Sequence, residues 1–469
     1  MKRILTPLLL ILSIYAFGNI TLPSVISSNM VLQQQSSVKL WGWAGATEKI
    51  FITTSWDNKT DSVITDGNAT WQLNVQTPKA GGPYTIKFKG YNTITLTNVL
   101  IGEVWVCSGQ SNMDYHSNYK GSRDAQAEMP YANNPNIRFF NVAKVTSKYP
   151  QDNLNATWAQ SDSNTLKNFS QVAYFFGKKL NKDLNTPIGL ILSSWGGTPA
   201  ETWTPAAAID NDEVLKNALE QQKQTQWWPK NAGYAFNGML APITNFKIAG
   251  AIWYQGEGNT STPTTYQKLL TTMISSWRKE WNSEFPFYIV QIGPYKYGNK
   301  YVGSLIREAQ AKTAAALPKT GYISINDLID DVNDIHPWNK KDVGVRLANL
   351  ALADNYSKNY ILGKTPEYKS MRVQNSQAII EFNNVPTTLT AKNKFIADLY
   401  IAGADQIFYP AEGKIKGGKL IVWNKLVKEP VAVRYAFSNA AVGNLFTKEG
   451  LPMASFRTDD WPLDTSPEK

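Results

Sequence analysis

Ser111 stands in the run Ser108-Gly109-Gln110-Ser111-Asn112-Met113, directly after the apolar stretch Val104-Trp105-Val106-Cys107. A serine placed where a strand gives way to a helix presents its hydroxyl at the end of a sheet, with its own backbone N–H aimed at the same space. Acyl transfer needs such a hydroxyl as nucleophile, a base to take its proton, a group that orients the base, and donors for the developing oxyanion. Counting selects the base, because the chain has 2 histidines. His116 shares the helix start with Ser111 and does not naturally face back toward it. His336 lies in Asp330-Asp331-Val332-Asn333-Asp334-Ile335-His336-Pro337, a loop that leans over the same rim. For the orienting carboxylate Asp334 is favoured, with Asp331, Asp330 and, from across the rim, Glu257 as alternatives. A carboxylate on Nδ1 would leave Nε2 free to accept the Ser111 proton.

The oxyanion donors are sought in the same way. Ser111 offers its backbone N–H, and Trp195-Gly196-Gly197-Thr198 offers that of Gly196 or Gly197, where the missing Cβ permits close approach. The Gln255 side-chain amide, in Gln255-Gly256-Glu257, is the third candidate. Taken singly, each of these residues is an ordinary turn or cap residue. Their weight comes from falling in order on successive strand ends.

Those strands must form one sheet. Apolar runs at 104–107, 188–193, 248–254, 287–292 and 321–325 have the continuous pattern of strands buried on both faces. Helical patterns over 168–184, 206–224, 264–281, 303–317 and 341–353 alternate with them. Alternation of this kind predicts an α/β fold, a doubly wound parallel sheet in three α/β/α layers, with its ligand crevice at the carboxyl ends of the strands. Before and after it, short alternating strands punctuated by turn residues predict β-sandwich-like domains. The expected organisation is a signal peptide over 1–18, a β domain over 19–100, a catalytic domain over 101–358 and a second β domain over 359–469.

Lys2 and Arg3, followed by an apolar run over 8–17 and small residues near Gly18, have the pattern of an export leader. The run is too short for a membrane span, and no later stretch reaches the length of one. A periplasmic or extracellular location is expected. The single cysteine, Cys107, excludes an intramolecular disulfide and sits inside an apolar strand as a buried thiol. The formal charge of +10 is spread along the chain rather than clustered, which argues against nucleic acid as a partner and is compatible with an acidic substrate. Aromatic residues make up 12% of the chain, and Trp227-Trp228 is either a sugar platform or helix packing.

Beyond these individual residues, the chain resembles the sialate O-acetylesterase family of SGNH hydrolases. The likeness rests on Gly102-Glu103-Val104-Trp105 leading into Gly109-Gln110-Ser111-Asn112-Met113, and on Trp195-Gly196-Gly197-Thr198 and Trp253-Tyr254-Gln255-Gly256-Glu257. Arg307-Glu308-Ala309-Gln310 and Asp334-Ile335-His336-Pro337 extend it. The resemblance implies Ser111 as nucleophile and His336 as base, with oxyanion donors at Ser111, Gly196 or Gly197, and Gln255. It implies an acetylated sugar or glycan as substrate and no metal or organic cofactor. SGNH hydrolases typically carry the acid three residues before this histidine, a position held here by Asn333.

Overall fold

The computed structural model describes residues 18–119 and 121–468. The expected leader therefore lies outside the described residues except for Gly18. The five expected core strands appear as Thr93–Gly109, Ile188–Ser194, Gly250–Tyr254, Phe287–Val290 and Thr320–Ile323, and every pairing among them is parallel. Across the sheet they lie as Ile188–Ser194, Thr93–Gly109, Gly250–Tyr254, Phe287–Val290, Thr320–Ile323. Counted along the chain, this is the 2-1-3-4-5 order of flavodoxin-like winding.

Two strands that the sequence reading did not anticipate widen the sheet beyond Ile188–Ser194. Asn134–Asn141 pairs with it in parallel, and Trp158–Ser161 closes the edge in antiparallel. The first contains Pro135 and begins with polar residues. A proline fits only where no ladder donor is needed, so the segment does not read as a buried strand.

Alternation along the central strand divides the interior in two. Val104 and Val106 point into one core and Trp105 and Cys107 into the other, the two-residue period of extended backbone. The first core is covered by helices Tyr266–Glu280 and Val302–Ala316, through Leu270, Met273, Ile274, Trp277 and Ile306. The second is covered by Gln171–Leu184 and Lys340–Asp354, through Phe175, Phe176, Leu180, Val343 and Leu347. Each such side chain contributes roughly 1.5–3 kcal/mol by leaving water. The helix expected over 206–224 forms as two pieces, Ala206–Asp210 and Glu213–Glu220. Asp212 breaks it, because its carboxylate accepts the N–H groups of Val214 and Leu215 at 3.1 and 3.2 Å and so starts a new helix.

Further β-sheet regions lie on either side of this core in the chain. The 17-residue strand Thr93–Gly109 runs unbroken through residue 100. Its first half pairs with Gly81–Lys89 and its middle with Val31–Gln33, while Ser37–Trp43 pairs with Thr70–Gln76. After the last helix come two four-stranded antiparallel sheets. They share a core built on Ile380, Ile401, Leu420, Val422 and Val433. Arg457 ties this part to helix Val302–Ala316, giving two hydrogen bonds to Glu308 at 2.9 and 3.0 Å.

Cys107 is fully buried, and burial pushes its thiol far above the ordinary value. Native protein is expected to leave an aromatic disulfide reagent unreacted and to release one equivalent once unfolded in guanidinium. Rapid reaction of the native protein would contradict this placement.

Candidate active site

Ser111 begins the short helix Ser111–Asp114, directly beyond the central strand. The preceding turn requires glycine. Gly109 has φ +140°, and a Cβ there would lie 2.2 Å from the Tyr254 carbonyl oxygen. The turn is pinned on both sides, by Gln110 N–H on the Tyr254 carbonyl at 3.0 Å and by Trp195 N–H on the Gly109 carbonyl at 3.1 Å. The Gln110 side chain adds a third tether, its Oε1 accepting from Gly258 N–H at 3.0 Å. The ends of the two flanking strands, Ile188–Ser194 and Gly250–Tyr254, thus fix the backbone that carries Ser111.

His336 meets it. Its Nε2 lies 2.8 Å from Ser111 Oγ. The other histidine closes a local turn instead, with His116 Nδ1 accepting Asn118 N–H at 3.3 Å and its ring lying edge-on to Tyr119.

The acidic loop before His336 is held by its own side chains. Asp331 Oδ1 accepts both the backbone and side-chain N–H of Asn333 at 2.8 Å. Asp334 Oδ1 accepts the backbone N–H of His336 at 2.8 Å. These are turns of the kind Asp forms with the N–H two residues on. Asp334 therefore sits next to His336, where the sequence placed it, but bonds its main chain rather than Nδ1. Among the described residues, no carboxylate is hydrogen-bonded to the His336 ring. Asp330 accepts from Trp338 Nε1, away from the imidazole. Glu257 has its carboxylate buried, with Oε1 accepting Asn112 Nδ2 at 2.7 Å and Oε2 unpartnered. Burial raises its pKa above the ordinary carboxylate value.

Of the oxyanion candidates, Gly196 lies against Ser111, a Cβ placed on it falling 3.4 Å from Ser111 Cβ. The backbone hydrogen bonds of its turn run from Trp195 to Gly109 and from Thr198 to Trp195. Among the described residues, the N–H groups of Gly196 and Gly197 have no protein acceptor. Gly197, at φ +80°, is pressed beneath Trp228, where a Cβ would come within 2.4 Å of the ring. The Trp pair thus divides: Trp228 packs, while Trp227 is 71% exposed and its carbonyl accepts Trp195 Nε1 at 3.0 Å.

Gln255 departs from expectation. It is fully buried, and its two amide hydrogens go to Thr198 O at 3.2 Å and Asn259 Oδ1 at 2.8 Å. Tyr266 O–H donates to its Oε1 at 2.7 Å. Both hydrogens are spent on the scaffold, so none faces the Ser111 hydroxyl. In place of a donor, Gln255 is a brace between the ends of two strands.

Two residues at the site had no assigned role in the sequence reading. Asn112 donates to Glu257 and, at 3.0 Å, to the Ile335 carbonyl. Lys340, fully buried, donates to Asn112 Oδ1 at 2.7 Å and to the Pro337 carbonyl at 2.5 Å. The position of Asn112 beside Ser111 was a signal for the first. Lys340 had none, since a lysine at a helix start reads as surface.

A cavity of about 460 Å³ opens beside the imidazole, lined by Tyr115, Tyr119, Gly121, Arg123, Asp334, His336 and Trp338. Tyr115 and Tyr119 stack with centroids 4.7 Å apart, and the Arg123 guanidinium lies 5.3 Å from the Trp338 ring centre. Among the described residues Arg123 has no ion-pair partner. No helix among them is long and apolar enough to cross a membrane.

A hydroxyl bonded to an imidazole at the carboxyl edge of a parallel sheet, with backbone donors left free beside it, belongs to the acyl-transfer class of hydrolases. Comparison with known proteins narrows the class. The model of the family described as carbohydrate esterase, sialic acid-specific acetylesterase, matches residues 101–353, more than half of the chain, and the chain belongs to that family. It is an esterase. Sialate O-acetylesterase of Rattus norvegicus is 28% identical over 418 residues, covering 75% of this chain and 76% of its own. That of Homo sapiens is 28% identical over 363 residues, covering 69% of each. The crystal structure of a novel carbohydrate acetylesterase from Xanthomonas citri matches with a TM-score of 0.85 at 33% identity, over 94% of this chain and 100% of that one.

Burial and the nearby Lys340 ammonium disfavour the protonated His336 ring, and Asp334 only partly opposes them, so its pKa is lowered from 6.5. The imidazole therefore stays neutral to a lower pH than a free histidine. An NMR titration of the His336 ring is expected to give a midpoint below 6.5; a midpoint above it would contradict this electrostatic picture.

Proposed function

We propose that the chain is a serine esterase that removes O-acetyl groups from carbohydrate, with Ser111 as nucleophile and His336 as its base. The observation that carries this reading is the 2.8 Å contact between His336 Nε2 and Ser111 Oγ. His336 takes the hydroxyl proton as Ser111 Oγ bonds to the acetyl carbon. The negative charge on the former carbonyl oxygen is received by the backbone N–H groups of Ser111 and Gly196. The imidazolium then gives its proton to the sugar oxygen as the ester bond breaks, leaving acetyl-Ser111. Water, deprotonated by the same ring, releases acetate and restores the hydroxyl.

The favoured substrate is O-acetylated sialic acid, a sugar with a carboxylate. The family description and the names of the rat and human relatives support it. So does Arg123, a cation with no ion-pair partner among the described residues, in the cavity that opens on His336. Arginine suits a carboxylate because its planar fork donates two parallel hydrogen bonds. Tyr119 and Trp338, both half-buried, offer apolar faces to a sugar ring. The leader-like pattern over 1–18 supports action outside the cytoplasm.

Ser111→Ala is expected to lower turnover of 4-nitrophenyl acetate by on the order of 10⁴-fold or more, while the variant stays folded by circular dichroism. Wild-type turnover would sink the assignment. Arg123→Met is expected to raise KM for O-acetylated sialic acid about tenfold or more, the value of a charge-assisted hydrogen bond. Hydrolysis of 4-nitrophenyl acetate and of acetylated xylan fragments should change little. An equal loss on the neutral substrates, or none on the sialate, would remove Arg123 from substrate recognition.

A further inference from the structure

Both peptide neighbours of His336 are tied to the residue that follows Ser111. Asn112 Nδ2 donates to the carbonyl of Ile335, immediately before the histidine, at 3.0 Å. Asn112 Oδ1 accepts from Lys340 Nζ at 2.7 Å, and the same ammonium donates to the carbonyl of Pro337, immediately after the histidine, at 2.5 Å. The loop that carries the base is therefore gripped on each side of His336. On one side the grip is direct. On the other it passes through Lys340.

Lys340 is a costly residue for a merely structural place. It is fully buried, as the first residue of helix Lys340–Asp354, so desolvation and the positive end of the helix dipole both oppose its charge. No acidic side chain among the described residues lies within 4.0 Å of it to form an ion pair. The charged and titratable groups that face it are Glu257 beyond Asn112, Asp334 in the His336 loop, and Asp124 from helix Arg123–Glu128. The rings of Tyr115 and Tyr254 lie 4.5 and 5.6 Å from its nitrogen. Burial pulls its pKa down to about 7, against the raising effect of the Glu257, Asp334 and Asp124 carboxylates. Below that pH, the range in which His336 titrates, two aromatic faces and two hydrogen bonds hold a cation where an apolar residue would pack at lower cost.

We propose that Lys340 is a positioning residue for the Ser111–His336 pair: its ammonium straps Asn112 to the Pro337 carbonyl and sets the distance between hydroxyl and imidazole. This inference rests on the Ser–His reading given under the proposed function. Two separate effects follow. Loss of the strap frees the loop, and a displacement of the base by a fraction of its hydrogen-bond length slows the chemical step without changing substrate contacts. Loss of the charge lets the imidazolium form at higher pH.

The test is the kinetics of Lys340→Met on 4-nitrophenyl acetate across pH, beside wild type and Ser111→Ala. The expected result is a kcat lowered by on the order of 10²-fold, a KM close to wild type, and an acid limb of kcat/KM moved to higher pH. A role in stability alone would lower the melting temperature and leave the acid limb where it was. Folded Lys340→Met with wild-type kcat and an unmoved limb overturns the proposal. Should that variant not fold, Lys340→Gln keeps one donor without the charge. It is expected to lose about tenfold in kcat, as the weakening of one positioning contact would, with the same upward shift of the limb, and wild-type values there overturn the proposal equally. An active Ser111→Ala would overturn the Ser–His reading itself. An inactive Ser111→Ala with unaffected Lys340 variants overturns only this inference.

Discussion

The ends of two neighbouring strands approach so closely at Gly109 that no side chain fits between them. A Cβ there would sit 2.2 Å from the Tyr254 carbonyl oxygen, and the backbone is at φ +140°, a conformation open to glycine at no steric cost. The site depends on this contact. It turns the chain out of the sheet at the point where the flanking crossovers part in opposite directions, which is where a doubly wound sheet opens a crevice. Ile188–Ser194 lies on one side and Gly250–Tyr254 on the other. Each contributes one main-chain hydrogen bond to the turn. Ser111 is thus placed by backbone, and its neighbours Gly196 and Gln255 arrive on the strands that make those bonds.

Around that fixed point the site is built from buried polar groups, each of which costs free energy unless it is paired. Asn112, Glu257 and Lys340 form one such cluster, and Gln255, Asn259 and Glu201 another, with Asn259 Nδ2 donating to Glu201 at 2.8 Å. Gln310 joins the second cluster to the next layer, donating to the Gln255 carbonyl at 2.9 Å and accepting Ile292 N–H at 3.1 Å. The two apolar cores carry the stability that these networks consume. What the networks supply is specificity of arrangement, since a satisfied amide holds its partners at one distance and one angle.

The strands and helices of the core were legible because burial on both faces imposes an unbroken apolar pattern, and 104–107 shows it plainly. Asn134–Asn141 was not legible, since an outer strand carrying Pro135 has no such pattern. The meeting of Ser111 and His336 was legible because polar, glycine-containing turns end successive strands, and because only two histidines compete for the place. Gln255 shows the limit of that reasoning. A polar residue after a strand was given to the oxyanion, yet the two acceptors that take its amide hydrogens, on Thr198 and Asn259, lie 57 and 4 residues away in sequence, and Tyr266 O–H donates to its oxygen. Competition for a donor is a tertiary property. Lys340 was invisible for the opposite reason, since its burial depends on helices that pack over it.

The carboxylate question has a similar physical answer. A carboxylate on Nδ1 would orient the ring and raise its basicity together. Here Asp334 orients the loop through the main-chain N–H of His336, and its charge acts on the ring only through space. Burial and Lys340 act more strongly in the other direction, so the imidazole is a weaker base than a free histidine. A weaker base is unprotonated over a wider range of pH, and on the proposed Ser–His mechanism an imidazole that need not lose a proton first is ready to receive one from Ser111. The site exchanges proton affinity for availability, and that exchange works only if geometry supplies what basicity does not. The short Nε2 to Oγ contact, held by a loop fastened on both sides of the histidine, is the form that compensation takes.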